Sequence, residues 1–274
     1  MKFTQRLVYL CIVLIFSSCL KNQNTLSPIN SESFNEQQIQ IYFQLPQTEV
    51  HDSLVTLTEA QTFTIKELDE MISLTNQIRQ SVSNGTWTTL TRKWNEFNIK
   101  YFGNNISIYS INDSSTDSIK NKLFPQATLK WAELNVDLVK LSGEVQFSDA
   151  LEVLLYSTPA IVFPEKLLKS VIFTHVFDQI YINIIGSSNM EYQHTTGGKV
   201  KLIQETNYPI SNDMTLKCEC NDLRYMDIFI RIPSWAINPT VTHGNVKYVA
   251  RPGEYCQISK KWVTGDVIKV TLKN

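Results

Sequence analysis

The sequence predicts an α+β protein in which a helical unit precedes an antiparallel β-sandwich. Three observations predict this class. Apolar residues recur at three- and four-residue intervals in the first part of the chain. After residue 178 apolar and polar residues alternate instead, as in half-buried strands. Groups of turn residues also interrupt the second part at short spacing, which is typical of strands joined by tight turns.

The first 19 residues resemble a bacterial lipoprotein signal. Lys2 and Arg6 precede an apolar stretch at 7–16, which two serines and Cys19 follow. About ten apolar residues are too few for a membrane span, which needs ~20. We interpret 1–18 as a signal peptide and Cys19 as a lipid-attachment site, which predicts anchoring to a membrane of the bacterial cell envelope. Ordinary secretion with an incidental Cys19 is the alternative.

Residues 19–38 predict a polar tether, because Asn, Gln, Ser and Glu dominate them. The remainder is long enough for two modest domains, a helical unit at 39–177 and a β-sandwich at 178–274. The formal net charge is −1 and the basic residues are not clustered. This charge distribution argues against a nucleic-acid partner.

Five helices and one short strand are predicted in the helical unit. Thr64 and Glu67 have the spacing of a capping box, and Ser148 has the position of an N-cap. Asn84 and Gly85 are expected to end the first helix. The strand is predicted near residues 39–43, and the helices near 65–83, 87–100, 125–141, 148–155 and 164–175.

Four turn-rich motifs mark the predicted strands of the second domain. They are Gln-Glu-Thr-Asn-Tyr-Pro at 204–209, Arg-Ile-Pro-Ser-Trp at 231–235, Pro-Gly-Glu-Tyr at 252–255 and Trp-Val-Thr-Gly-Asp at 262–266.

Between the first two motifs, Cys218 and Cys220 lie on the apolar side of an alternating run, so both are expected to be buried small side chains. A metal site would need more ligands than Cys-x-Cys provides.

These motifs resemble the β-sandwich of glycoside hydrolase family 127, the β-L-arabinofuranosidases. Residues 132–156 are similar to a helix, glycine turn and helix of the same family, and Ser157 stands where the family has Asn. Trp94 and the Tyr-Phe-Gly sequence at 101–103 match it in part. The resemblance implies an (α/α)₆ barrel of helices before the sandwich. We expect a shortened version of this barrel in the present chain.

The resemblance also implies a retaining reaction with a cysteine nucleophile, a zinc ion held by Glu and Cys, and a separate glutamate as acid/base. The Glu-x-Cys segment falls on Phe124 and Gln126. The adjacent cysteine pair should lie between Tyr156 and Gln179, where there is no cysteine. We therefore expect a degenerate member without the catalytic residues, with no zinc site and no other cofactor.

Paired acidic residues elsewhere are the remaining catalytic candidates. Asp149 and Glu152 are interpreted as first-turn residues that interact favourably with the helix dipole. Glu133 and Asp137 lie opposite an apolar stripe and are expected to face solvent.

Histidine, arginine and tryptophan residues provide weaker candidates. His175 and His194 have no partner at ligand spacing and are expected to serve in packing. Arg231 alternates with apolar neighbours and is predicted to face outward beside Trp235. Trp235 and Trp262 are weak candidates for stacking on sugar rings, although Trp262 fits a plug of the sandwich better.

Three hypotheses about function follow. The first is a non-catalytic envelope lipoprotein whose partner is a glycan, or a protein that completes the helical barrel. The second is an active glycoside hydrolase acting on arabinofuranosyl or related plant glycans through relocated carboxylates. The third is a decayed fragment without a selected role, whose unpaired helices would expose apolar surface.

Overall fold

The computed structural model describes residues 25–43, 57–103, 123–156 and 163–273. Five α-helices and two β-sheets in these ranges give an α+β fold, as predicted. The helices are α1 Glu59–Gln80, α2 Asn84–Phe102, α3 Pro125–Ser142, α4 Val145–Tyr156 and α5 Glu165–Lys169, with a 3₁₀ helix at Glu36–Gln38. In the described ranges, none of these helices combines the length and hydrophobicity of a membrane span.

The strands form a five-stranded and a seven-stranded sheet. The first has the order β1-β3-β4-β8-β11, and the second has the order β10-β9-β12-β7-β6-β5-β2. The strands are β1 Glu32–Ser33, β2 Ile39–Ile41, β3 Phe173–Val176, β4 Gln179–Ile182, β5 Ser188–Gln193, β6 Lys199–Thr206, β7 Asp213–Cys220, β8 Arg224–Arg231, β9 Ile237–His243, β10 Val246–Tyr248, β11 Tyr255–Trp262 and β12 Val267–Lys273. One pairing, β4 with β8, is parallel, so the sandwich is not wholly antiparallel as predicted.

Several helix ends differ from the predictions because stronger capping residues lie nearby. The Thr58 side chain accepts a hydrogen bond from the Gln61 N–H, so α1 begins at Glu59 and the predicted cap, Thr64, lies inside it. Ser83 caps α2, and the Asn-Gly pair at 84–85 therefore begins this helix and does not end α1. Helix α4 starts at Val145, which places the predicted cap Ser148 inside the helix.

Helix α3 follows the prediction closely. Pro125 occupies its first position, where a missing N–H costs nothing, and Gly143 ends it at φ 66°, in the left-handed region. Ile29 packs so close to Gly143 that an added Cβ would lie 2.2 Å from its side chain. The left-handed backbone favours a glycine here, and a larger residue would also displace the end of the Ile29 side chain.

The N-terminal segment that was predicted to be a tether is packed against the fold from residue 25. The Ile29 and Ser31 N–H groups donate to the carbonyls of Leu141 and Lys140, at 2.9 and 2.8 Å. Leu26 and Phe34 are buried. Scattered apolar residues in a polar segment anchor it, so the predicted tether at 19–38 is too long at its C-terminal end.

The boundary between helices and sandwich also differs from the prediction. Helix α5 ends at Lys169, and His175 lies in β3, which was expected to be helical. The N-terminal strands β1 and β2 pair with β3 and β5 of the two sheets. The sandwich is therefore completed by strands from before the helices. Strand β1 lies in the predicted tether, and β2 lies in the predicted helical unit.

The apolar faces of helices α1 to α4 bury one another. Trp131 is fully buried, with its ring centroid 5.4 Å from that of Trp94 and 4.8 Å from that of Phe97. Phe147 of α4 packs edge-on to Trp94 at 5.1 Å. The surface between α2 and α3 is therefore a packed aromatic core. Bare apolar stripes, as expected for an incomplete ring of helices, are not found at these positions.

The three cysteines of the sandwich are buried and unpaired, as predicted for Cys218 and Cys220. Burial raises the pKa of the Cys218 thiol, and it raises the pKa of Cys256 to about 11. A high pKa leaves little reactive thiolate.

We therefore expect native protein at pH 8 to resist alkylation by iodoacetamide. For this test we specify the soluble mature chain, residues 19–274 with Cys19→Ser. Mass spectrometry should show no adduct in buffer and three adducts in urea. Rapid labelling of native protein would contradict the packing.

Candidate functional site at the junction of helix α4 and the sandwich

A buried ion-pair cluster joins helix α4 to the end of strand β8. Arg231, the last residue of β8, donates through its Nη1 to Asp149 and through its Nη2 to Glu152. The three side chains are at most 1% exposed. This is the most strongly charged buried group in the described part of the chain, and it brings together both predicted carboxylates.

Neighbouring groups donate further hydrogen bonds to both carboxylates. The Ser234 N–H donates to Asp149 Oδ2 at 3.2 Å, and the Ser234 hydroxyl donates to the same oxygen. The Ile185 N–H donates to Glu152 Oε1 at 3.2 Å, and the Tyr208 hydroxyl donates to Glu152 Oε2 at 3.0 Å. Every carboxylate oxygen therefore has at least one donor.

The electrostatics of the cluster favour charged partners. Burial raises the pKa of Asp149 to about 6, although Arg231 and Ser234 act to lower it, and the group is ionised at neutral pH. Burial acts to lower the pKa of Arg231, but Glu152 and Asp149 outweigh it and raise that pKa. Two carboxylates and one guanidinium leave an excess negative charge, which the backbone donors of Ser234 and Ile185 stabilise.

Aromatic residues close the cluster on one side. Tyr156 packs edge-on to Tyr208 with centroids 5.2 Å apart, and its hydroxyl donates to the Ile185 carbonyl at 2.6 Å. Tyr208 in turn stacks on Trp235 at 6.2 Å. Burial, followed by the Glu152 charge, raises the pKa of Tyr208 well above its ordinary value, so this hydroxyl remains a donor.

Two sequence predictions about this cluster are wrong. Arg231 does point away from the sandwich core, since Ile230 and Ile232 point into it, but helix α4 covers that outer face. Asp149 and Glu152 lie beyond the first turn of α4, so the helix dipole does not explain them. A signal was present: the other residues of α4 are mostly apolar, which indicates a buried helix, and acids in a buried helix need a charged or hydrogen-bonding partner.

The arrangement cannot perform acid/base chemistry on a substrate. A general acid or base must reach the reacting atom within about 2.6–3.2 Å, or through one water. Here both carboxylates are buried and held by protein donors. The cluster links two parts of the fold, and its chemistry is structural.

The other predicted residues lie apart from the cluster or at its edge. Trp262 is 1% exposed and donates to the Met226 carbonyl at 2.9 Å. It plugs the sandwich, as the preferred interpretation predicted, and it has no open ring face for a sugar, so the weaker stacking alternative is wrong for Trp262. Trp235 is half-buried, and its role in stacking stays a prediction. Cys19 lies outside the described residues.

Both histidines have packing contacts in agreement with the prediction. The His175 ring stacks on Phe34 with centroids 4.4 Å apart. His194 is 5% exposed, and its Nε2 lies 3.0 Å from the Tyr225 carbonyl oxygen.

The solvated acids of α3 are also as predicted. Glu133 is exposed, and Asp137 forms an ion pair with Arg79 at 2.8 Å.

The positions expected to hold zinc carry residues that do not fit it. Phe124 precedes the first residue of α3 and is half-buried, and the Gln126 side chain is exposed. Phe163, in the interval where the adjacent cysteines were expected, is buried in the core. Among the residues with described positions, no group of three or more His, Cys, Asp or Glu side chains is placed to hold a metal.

Comparisons with known proteins place this fold among the glycoside hydrolases. A structure titled "Glycoside hydrolase" matches with a TM-score of 0.59 and 14% identity, over 77% of this chain and 46% of that one. A GH127 β-arabinofuranosidase matches with a TM-score of 0.56 and 18% identity, over 77% and 42% of the two chains. A GH127 β-L-arabinofuranosidase from Geobacillus stearothermophilus T6 gives 0.55 and 15%, over 75% and 41%. A search of curated proteins gave no match.

The chain is thus a glycoside-hydrolase-like protein that spans less than half the length of the solved structures it matches. Residues 179–274 match the family model described as "Beta-L-arabinofuranosidase, GH127 middle domain". The predicted resemblance to glycoside hydrolase family 127 is confirmed, by sequence for the sandwich and by fold for the region before it.

Proposed function

We propose that this chain is a lipid-anchored protein of the bacterial cell envelope that binds glycan without cleaving it. One observation carries the proposal. The paired carboxylates Asp149 and Glu152 are buried and saturated by Arg231, Ser234 and Tyr208, so they have no room for a substrate.

The residues at the expected catalytic positions point the same way. A retaining mechanism needs a nucleophile and a separate proton donor. Phe124 and Gln126 replace the Glu-x-Cys segment, and no cysteine lies between Cys19 and Cys218. The chain therefore lacks the thiolate on which the family's reaction depends.

The buried core of the helices argues against a protein partner that completes the barrel. We interpret α1 to α4 as a remnant of an (α/α)₆ barrel that has become self-contained. Leu68, Trp94 and Trp131 are each at most 2% exposed, although a protein that completes the barrel would need such residues to be available. Attachment through Cys19 would hold the sandwich close to the polysaccharides of the envelope.

The test is an assay of the soluble mature chain with an aryl β-L-arabinofuranoside in the presence of zinc. We expect no turnover above buffer, while an active family 127 enzyme serves as the positive control. Turnover that a chelator abolishes would show that a metal-dependent glycosidase has survived. Turnover that resists chelation but disappears in Asp149→Asn would favour relocated carboxylates instead.

A further inference from the structure

A polar groove of about 390 Å³ lies at the edge of the seven-stranded sheet, away from the buried cluster. This volume is within the range of about 300–1,000 Å³ found for small-molecule sites. Its lining is dominated by side-chain amides, with a few charged groups. The lining residues on which the inference depends are Gln37, Gln40, Asn189, Glu191, Gln193 and Lys199.

The groove forms because side chains alternate between the two faces of strands β2, β5 and β6. Gln40 on the edge strand β2 is opposite Asn189 on β5, and Gln193 on β5 is opposite Lys199 on β6. Alternate residues of these strands, such as Met190 on β5, face the core, so the polar residues share the outer face. The 3₁₀ helix before β2 supplies Gln37 at the rim.

Both lysines at this site lie near carboxylates, Lys201 near Glu219 outside the groove, which favours a neutral ligand over a polyanion. Lys199 forms an ion pair with Glu191 at 2.6 Å, and Lys201 lies 4.0 Å from Glu219. Each lysine already lies beside a carboxylate and is therefore less able to attract a polyanion. Glu191 is the one carboxylate that lines the groove in the described residues, so the groove lacks the acid pair that glycosidases use.

The amides are suited to hydroxyl groups. Each Asn or Gln side chain both donates and accepts, as a hydroxyl does. Asn189 Nδ2 donates to Gln40 Oε1 at 3.1 Å and to the Tyr42 hydroxyl at 2.5 Å, which fixes the orientation of this end of the groove. In the described part of the chain, the side chains of Gln37 and Gln193 have no hydrogen-bond partner and are available to a ligand.

An aromatic ring lies beside these amides. Tyr42 is 61% exposed, although its hydroxyl is held by Gln40 and Asn189. A fixed ring with an open face can pack against the C–H surface of a sugar. The combination of paired amides, lysines beside carboxylates and a fixed aromatic ring is suited to a polyhydroxylated ring.

We propose that this groove is a binding site for a neutral mono- or disaccharide unit of a larger glycan. The inference rests on the proposed glycan-binding function and assigns it a place: the β2–β5–β6 face, and neither the helices nor Trp235. The ligand is recognised through its hydroxyl groups and is released unchanged.

The test measures binding by isothermal titration calorimetry on the soluble mature chain. The probes are neutral arabino-oligosaccharides, neutral xylo-oligosaccharides and acidic oligogalacturonate. We expect at least one neutral probe to bind, and the double variant Gln37→Ala/Gln193→Ala and the single variant Tyr42→Ala each to lose at least tenfold in affinity. Gln257→Ala on β11, an exposed glutamine outside the groove, is the matched control and should bind as the unmodified chain does.

Three results would overturn the groove assignment. They are no binding of any neutral probe, preference for oligogalacturonate, or unchanged affinity in both groove variants. If the chain binds glycan and the variants leave the affinity unchanged, the groove is excluded as the site, but the proposed glycan-binding function stands. Turnover of the arabinofuranoside would instead contradict the proposed non-catalytic function. Failure of the groove assignment and failure of the proposed function are therefore distinguishable.

Discussion

Replacing Arg231 with Met is expected to lower the free energy of unfolding by about 3–5 kcal/mol, the loss typical of breaking a buried ion pair from one side. The substitution leaves Asp149 and Glu152 buried without a countercharge. Urea unfolding of the soluble mature chain, followed by circular dichroism, measures the change. The matched control is Arg251→Met, since Arg251 pairs with Glu254 at a side-chain exposure of 68%. The Arg251→Met substitution should lower the free energy of unfolding by less than about 1 kcal/mol.

A triple variant separates lost charge balance from lost packing. Asp149→Asn/Glu152→Gln/Arg231→Met removes all three charges, so no carboxylate is left buried without a countercharge, while the amide oxygens can still accept from Ser234 and Tyr208. We expect it to recover at least half of the stability lost in Arg231→Met. If the triple variant is as unstable as the single variant, packing of the guanidinium and not charge balance explains the loss. An Arg231→Met protein as stable as the unmodified chain would contradict the cluster itself.

The Arg231 cluster also shows which part of the site the sequence could predict. Alternation correctly separates Ile230 and Ile232, which face the core, from Arg231, which faces away. It carries no information about whether another element covers the outer face. The partners of Arg231 are 79 and 82 residues away in the chain, and no local pattern encodes that distance.

The fold shows the same division between local and long-range information. The helical spacing of α3 and its proline and glycine ends predicted its bounds closely, because these signals act within a few residues. The strands β1 and β2 are two and three residues long and owe their existence to pairing with β3 and β5. For β1, pairing across more than a hundred residues has no signature in so short a segment, so a tether was predicted where the chain is packed. The alternation of Ile39, Ile41 and Phe43 did predict β2, but it carried no information about the strand that pairs with it.

The groove on β2, β5 and β6 could not be predicted for a related reason. Its amides come from two segments about 150 residues apart. Each amide alone is an ordinary residue for an exposed strand position. Only the register that places Gln40 opposite Asn189 makes them neighbours. Sequence reasoning instead looked for aromatic residues. It named Trp235 and Trp262 as weak candidates, and the sandwich buries Trp262.

Replacing Trp131 with Ala is the second change with a large expected effect, about 3–5 kcal/mol of unfolding free energy. Trp131 is 0% exposed, and its ring stacks near those of Trp94, Phe97 and Phe102 at 5.4, 4.8 and 6.1 Å. The substitution leaves a cavity among rigid rings that cannot close it by small movements. Urea unfolding again gives the measurement.

The control for this change lies on the same helix. Leu129 is 37% exposed, so Leu129→Ala should lower the free energy of unfolding by less than about 1 kcal/mol. Both positions lie on α3, so the two variants change the same helix. Equal losses in the two variants would mean that α3 is not packed through Trp131. A loss below about 1 kcal/mol for Trp131→Ala would mean that the aromatic stripe is loosely held. The helices would then be open to a protein that completes the ring, which is the partner that their burial now argues against.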